Sequence, residues 1–530
     1  MPKVKQNQQL LDSAAGTQWK SIGVKHHHGI NIPIFSLRSR QSCGIGEYLD
    51  LIPMIEWCNA VGLDVIQILP INDTGMDSSP YNALSAFALN PTLLSLTALP
   101  EIEFYPDLIE KIESLQALNH EQRVDYRTVI PLKREIVFEY AKRRFSNFVH
   151  DAHFQRFLQE NSWLESYGLF VALKEEHDWK SWEEWPENLQ NPSTGYAMEC
   201  LHCHRDAVNT HIAIQYLCFQ QMHQVKEKAS SLNVLIKGDI PILISRDSAD
   251  VWLNRNLFKM EFSAGAPPDM YAEDGQNWGF PIYNWEEIEK EDYSWWRQRL
   301  QVATYFYHLY RIDHIVGFFR IWAVPPGMTG RDGHFDPEDQ STWIEHGKKI
   351  MEMMLESSPM LPIGEDLGAV PPDVRQCLKD LGICGTKVMR WERDWDGDQS
   401  YIELDDYPTE SMTTVSTHDS ETLSQWWKSG AEDVKTLCDS RGWEMLEEIP
   451  EDYLKTILWE SHHSPSLFHI NLLNEYLALV PGMTWPEIED ERINIPGEIL
   501  DENWSYRYRV YVEEIAKSDK LRGVVKGLII

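Results

Sequence analysis

Three short segments set carboxylates at the ends of apolar runs. The first is Arg311-Ile312-Asp313-His314. On a strand, side chains repeat with period two, so Arg311 and Asp313 share a face. A guanidinium beside a carboxylate favours the ionised form, and an ionised carboxylate can attack an electrophilic carbon. A buried structural ion pair would use the same two residues. The second segment is Gly364-Glu365-Asp366, where Gly364 lets backbone come close and Glu365 ends an apolar run. A glutamate shielded from water keeps its proton to higher pH and can donate it to a leaving oxygen. Helix capping is the alternative use. The third, Ser416-Thr417-His418-Asp419-Ser420, offers an imidazole and another carboxylate. Cleavage of a glycosidic bond with retention needs this kind of set: one carboxylate as nucleophile and one carboxylic acid as proton donor, about 5 Å apart. A further acidic group can bind sugar hydroxyls while the ring distorts.

The elements that must position these residues are legible as short apolar runs. Residues 30–37 read as a strand, followed by a turn at Gly44-Ile45-Gly46, a helix over 48–61 and a second strand over 64–70. Strand, helix and strand at this spacing form a βαβ unit, which implies parallel pairing. Further runs lie at 234–240, 309–313, 360–365, 386–391 and 412–417. Repeated alternation of this kind suggests a barrel or a doubly wound sheet. Polar residues gather where the runs end: Asp239, Asp313 with His314, Glu365 with Asp366, and His418 with Asp419. That placement favours an α/β fold of the (β/α)8 TIM-barrel type, whose strand ends line the active-site mouth. The expected organisation is an N-terminal segment over 1–28 and a catalytic barrel over 29–530. The barrel would carry a helix-rich insertion at about 85–231 and an active-site loop region at about 254–296, a length that is more often functional than structural.

Composition narrows the partners. With 48 basic and 82 acidic residues in 530, the formal charge is −34. Phosphate-backbone binding comes from clustered Lys and Arg, so nucleic acid is not an expected partner, and the same field opposes an anionic membrane. A neutral ligand suits it better. The 21 Trp, 21 Tyr and 18 Phe include enough aromatic faces to stack on sugar rings, with Tyr81 and Trp278 as candidates, although core packing is their default use. No apolar stretch approaches the roughly 20 residues of a membrane span, and the first residues lack the apolar core of a secretory signal. A soluble cytoplasmic protein is expected, a monomer by default. Its eight cysteines are sparse enough that disulfides are not required.

Some local motifs carry less. Gly44-Ile45-Gly46 follows a strand, but Leu49 stands where a dinucleotide fingerprint needs its third glycine. Cys200-Leu201-His202-Cys203-His204 has CxxC spacing without a second pair nearby, which favours a local structural cluster over zinc. His26, His27 and His28 precede a strand, where three consecutive residues cannot share one face.

The ordered set of segments resembles the amylomaltase, or 4-α-glucanotransferase, family, relatives of α-amylase, from Gly29 to about Arg507. It runs through Phe35 to Ser39, Gln67 to Pro70, Asn72 to Thr74, Ser79-Pro80-Tyr81 and Ser85 to Ala88. It continues through Gly238 to Pro241, Asp247 to Asp250, Gly265 to Asp269 and Gly275 to Gly279. The three carboxylate segments follow, and Arg492 to Gly497 ends the set. The resemblance implies Asp313 as nucleophile, Glu365 as general acid/base and Asp419 as transition-state stabiliser. It implies Tyr81, Asp247, Trp278, Arg311, His314 and His418 as substrate-binding residues, Arg311 and His418 also positioning the nucleophile. The family reaction moves an α-1,4-glucan segment to the 4-hydroxyl of glucose or another glucan, with no metal or organic cofactor. Residues 242–246 depart from the family's Gly- and Val-rich pattern, so Arg246 is expected to alter a subsite. An α-glucan hydrolase would use the same trio and lose its intermediate to water; a non-catalytic glucan-binding scaffold would leave the trio unexplained. The 254–296 region, with Gly265, Gly275 and Gly279 as hinges, is expected to control the choice between transfer and hydrolysis.

Overall fold

The computed structural model describes residues 2–268, 273–395 and 397–530. Asp269, which ends the segment beginning at Gly265, lies outside the described residues, as do 270–272 within the 254–296 region.

Eight parallel strands succeed one another around a barrel: β1 (His27–Ile32), β2 (Val65–Ile68), β3 (Leu235–Ile240), β4 (Leu309–Ile312), β5 (Leu361–Gly364), β6 (Gly385–Val388), β7 (Ser411–Thr414) and β8 (Phe468–Leu472). Each pairs with its sequence neighbour, and β8 returns to β1 with His27 opposite Phe468. The remaining seam, between β5 and β6, closes through the Ile363–Cys384 bridge, where the Gly364 N–H donates to the Cys384 carbonyl at 2.8 Å. This is the expected (β/α)8 barrel.

Three departures have physical reasons. β1 begins at His27 and stops at Ile32 rather than spanning 30–37, because Pro33 has no N–H for the ladder and the chain turns at Ile34–Ser36. His27 and His28 therefore lie within the strand and point oppositely: His27 stacks on Phe468, whereas His28 reaches His462 on the helix Glu451–His463. β8 is absent from the sequence reading because His469 and Asn471 interrupt its apolar pattern. Both polar side chains meet Ser461 on that same outer helix. Finally, the 254–296 stretch is not irregular throughout: Ser263–Ala266 pairs with Gln276–Asn277 and with Ile321–Val324, and Phe258–Lys259 pairs with Ile282–Tyr283.

Between β2 and β3 the chain is helical. The helix Arg205–Ser231 packs on Leu164–Glu176 and Tyr126–Phe148, burying Val208, Ile212, Phe219 and Met222. Inside the barrel, below the mouth, the buried Lys237 ammonium reaches the Gln67 carbonyl at 2.8 Å and the Met412 sulfur at 2.9 Å, tying β3 to β2 and β7. Two residues further along β3, Asp239 opens the mouth.

Candidate active site

Arg311, on β4, organises the site. One terminal nitrogen donates to both oxygens of Asp239 on β3, at 3.0 and 2.9 Å. The other lies 2.8 Å from Asp313, just past the end of β4, and 3.8 Å from Glu365, just past the end of β5. The alternation read from the sequence thus places Arg311 and Asp313 together, and adjacent parallel strands bring up the other two carboxylates. Asp239 has no exposed side-chain surface, so the guanidinium supplies its charge compensation, whereas Asp313 remains 27% exposed toward the mouth.

Glu365 is held by backbone. Its two oxygens accept from the His314 N–H at 2.9 Å and the Leu367 N–H at 3.1 Å. His314 adopts a left-handed conformation, with φ 43°, uncommon for a residue with a side chain; its N–H reaches Glu365 from this geometry. Gly364 is needed below, since a Cβ there would meet Ile315 at 2.7 Å. Burial pushes the Glu365 carboxyl up to about 7, with the Asp313 charge adding to the shift and Arg311 opposing it. It therefore holds its proton near neutrality. Burial lowers the affinity of His314 for a proton, leaving a neutral ring.

Asp419 is the opposite case. Burial works to raise it, but His418, the Asn494 amide and Arg311 outweigh that penalty and hold it down at about 2. Its oxygens lie 3.1 Å from His418 Nε2 and 2.7 Å from Asn494 Nδ2, and its backbone carbonyl accepts from Arg492. Tyr81 links the two halves. Its hydroxyl lies 2.9 Å from Asp239 and 2.9 Å from His418 Nε2. An ionised carboxylate only accepts, so Tyr81 donates to Asp239 and accepts from His418, which places the imidazole proton on Nε2. A continuous chain then runs from Arg311 through Asp239, Tyr81, His418 and Asp419 to Asn494.

Of the residues singled out from sequence, Tyr81, Arg311, Asp313, His314, Glu365, His418 and Asp419 converge here. Trp278 meets this cluster at its margin, edge-on to the His314 ring at 5.1 Å. Asp247 stands apart. It lines an adjoining cleft of about 450 Å³ with Ser79, Asn82, Trp278 and Phe280. Its oxygens are engaged by Lys174 at 2.5 Å and the Trp182 N–H at 3.2 Å. Three residues were not singled out as part of the site. Asp239 had a signal, an acidic residue ending a strand. Asn494 lies 75 positions from its partner and had none beyond its segment; Trp504, packed against Tyr81 and His418, also had none. Among the described residues no cluster of three or more His, Cys, Asp or Glu is arranged to hold a metal ion. In the Cys200 segment, His204 pairs with Glu176 instead.

A family model described as 4-alpha-glucanotransferase matches residues 32–513, a span that contains every residue of this site. The chain belongs to the 4-α-glucanotransferase family. This glucanotransferase is 43% identical over 519 residues to the 4-alpha-glucanotransferase of Chlamydia pneumoniae, covering 98% of each chain. It is 41% identical over 531 residues to that of Chlamydia trachomatis serovar D, covering all of both. Among solved structures it resembles the amylomaltase from Streptococcus agalactiae in complex with acarbose, with TM-score 0.79 and 25% identity over 95% of this chain and 98% of that one. No helix among the glucanotransferase's described residues is long and apolar enough to cross a membrane.

Proposed function

We propose that this 4-α-glucanotransferase works by a retaining double displacement in which Asp313 is the nucleophile, Glu365 the acid/base and Asp419 the electrostatic stabiliser. In the first half-reaction the Asp313 carboxylate attacks the anomeric carbon of an α-1,4-glucan, the glycosidic C–O bond breaks, and Glu365 gives its proton to the departing oxygen. A glycosyl ester on Asp313 remains. In the second, the Glu365 carboxylate takes the proton from the 4-hydroxyl of glucose or another glucan, and that oxygen displaces Asp313. Asp419 stays ionised and faces the positive charge that develops on the ring.

The observation that carries the reading is that one guanidinium nitrogen of Arg311 lies within 3.8 Å of both Asp313 and Glu365. This supports a separation near the roughly 5 Å of retaining enzymes rather than the wider spacing of inverting ones, which must admit a water. Tyr81, Trp278, Arg311, His314, His418 and Asp247 are proposed to bind the glucan, Asp247 through the wall it holds in place. A monomer is proposed as the acting unit. Eight free thiols, seven of them buried, support a reducing cytoplasmic setting.

The test is chromatography of products formed from maltotriose, with Asp313→Asn alongside. Longer maltooligosaccharides together with glucose are expected from the unaltered enzyme, and a loss of at least about 10³-fold from the variant, whose fold is retained. Near-normal turnover by Asp313→Asn would remove the nucleophile assignment. Glucose and maltose alone would mean that water, not a sugar, resolves the intermediate.

A further inference from the structure

The cleft beside the catalytic residues has a wall that the double displacement does not use. Arg246 follows β3 on the loop leading to Asp247. Its guanidinium grips both oxygens of Glu183, at 2.9 to 3.1 Å, and donates to the Met260 carbonyl at 2.8 Å. One side chain therefore joins three segments: the loop after β3, the turn Trp182–Glu184 of the helical insertion, and the loop after Phe258–Lys259.

The turn is fixed from behind. The Trp182 indole N–H donates to the Arg246 carbonyl, and its backbone N–H donates to Asp247. Buried Lys174 binds Asp247 and the carbonyls of Trp179 and Lys180 together, and the Arg255 guanidinium lies 4.3 Å from the centre of the Trp182 ring. Arg246 and Glu183 line the same cleft as Trp278, and their side chains stay 36% and 41% exposed. Of five guanidinium N–H groups, three are used in these contacts; two remain for a hydroxyl-rich ligand.

We propose that the Arg246–Glu183 pair is the end wall of the acceptor cleft and selects short glucan acceptors. The inference rests on Glu365 being the acid/base. That group stands beside the oxygen that leaves and, by microscopic reversibility, beside the one that enters. Trp278 touches His314, whose N–H holds Glu365, so the cleft walled by Trp278 lies on the acceptor side. Trp278 joins it to the reacting groups; the ion pair lines it without contacting them. A bidentate pair anchored on three segments can close such a cleft to long chains while offering its free edges to the hydroxyls of short ones.

The experiment uses the full-length enzyme and 4-nitrophenyl α-maltoside as donor, with Arg246→Ala, Glu183→Ala and the double variant. Nitrophenol release without acceptor reports the first half-reaction; transfer to glucose, maltose and maltopentaose reports the second. Each single variant is expected to raise KM for glucose and maltose about fivefold, to leave that for maltopentaose unchanged or lower, and to keep nitrophenol release within about twofold. The double variant should be no worse than either single one, since both remove the same wall. Arg246→Lys keeps the charge but cannot span Glu183 and Met260, and should give the same trend if the alanine variant does not fold. An unchanged order of acceptor KM values overturns the proposal. So does an equal fall in nitrophenol release and transfer, which marks a purely structural pair. Asp313→Asn in the same assay separates the two readings: retained nitrophenol release there would refute the nucleophile, whatever Arg246 does.

Discussion

Glu365 and Asp419 are both partly exposed carboxylates at the barrel mouth, their side chains 16% and 40% accessible, yet one is held near 7 and the other near 2. The difference lies in their donors. Glu365 receives two backbone N–H groups and faces the Asp313 charge, whereas Asp419 receives an imidazole N–H and an amide. With Glu365 as the proposed acid, protonated at the start of the first half-reaction, kcat/KM for maltotriose should fall as pH rises above about 7. A pH profile checks this, and in Glu365→Gln that alkaline limb should vanish, with turnover of maltotriose down by about 10²- to 10⁴-fold. An activated leaving group such as nitrophenol should suffer far less. The same group costs stability. Its folded value exceeds its ordinary 4.5, so the folded state binds the extra proton between about 4.5 and 7. That contribution is lost as pH rises through the window, and Glu365→Gln should therefore melt higher than the unaltered enzyme at pH 8. Asn494→Ala removes one of the two side-chain donors to Asp419; we expect kcat to fall by about tenfold or more with little change in fold, measured by steady-state kinetics beside a thermal melt.

At the scale of elements, the strands are short: Asp313 and Glu365 immediately follow β4 and β5, and Asp419 stands five residues past β7. Seven of the eight strands were legible because each lies in or beside a short apolar run bounded by loop signals, as buried parallel strands do. β8 was not, since its polar residues find their partners only in tertiary contacts, with Ser461 on the neighbouring helix, Val415, Tyr476 and His26. The short strands within 254–296 were also illegible: strands of two residues carry no periodicity of their own, and the four-residue Ser263–Ala266 finds its main partner outside the region, in Ile321–Val324. Gly265 and Gly275, expected as hinges, differ in kind. Gly275 has φ 65°, whereas a Cβ on Gly265 would meet the Gln276 carbonyl at 2.0 Å, so Gly265 serves close strand contact. Close contact also explains Gly238 in β3. A Cβ there would lie 2.3 Å from the buried Tyr307 ring, so Gly238→Ala should destabilise the protein by about 1–3 kcal/mol, seen as a lower denaturation midpoint. Asp239, the next residue, would shift with it, and turnover should fall as well.

The whole molecule carries a formal charge of −34, and the candidate site is acidic too, with Asp239, Asp313 and Glu365 gathered on the single guanidinium of Arg311. A neutral glucan gains nothing from long-range steering, so KM for maltotriose should change by less than about twofold between about 0.05 and 0.5 M salt. A steep salt dependence would point instead to a charged ligand. The amino-acid sequence by itself determined the alternation of strand and helix, the partnership of Arg311 with Asp313, and the candidate catalytic trio, because these depend on local periodicity and on residue types at strand ends. Only the tertiary structure decided that Asp239 and Tyr81 join Arg311 to His418, that Asn494 holds Asp419, and that Arg246 meets Glu183. Those contacts bridge 63 to 337 positions of chain, and no local pattern encodes them: they exist because barrel closure and the docked insertion bring distant segments to one mouth, where burial and neighbouring donors set the proton affinity of each acid.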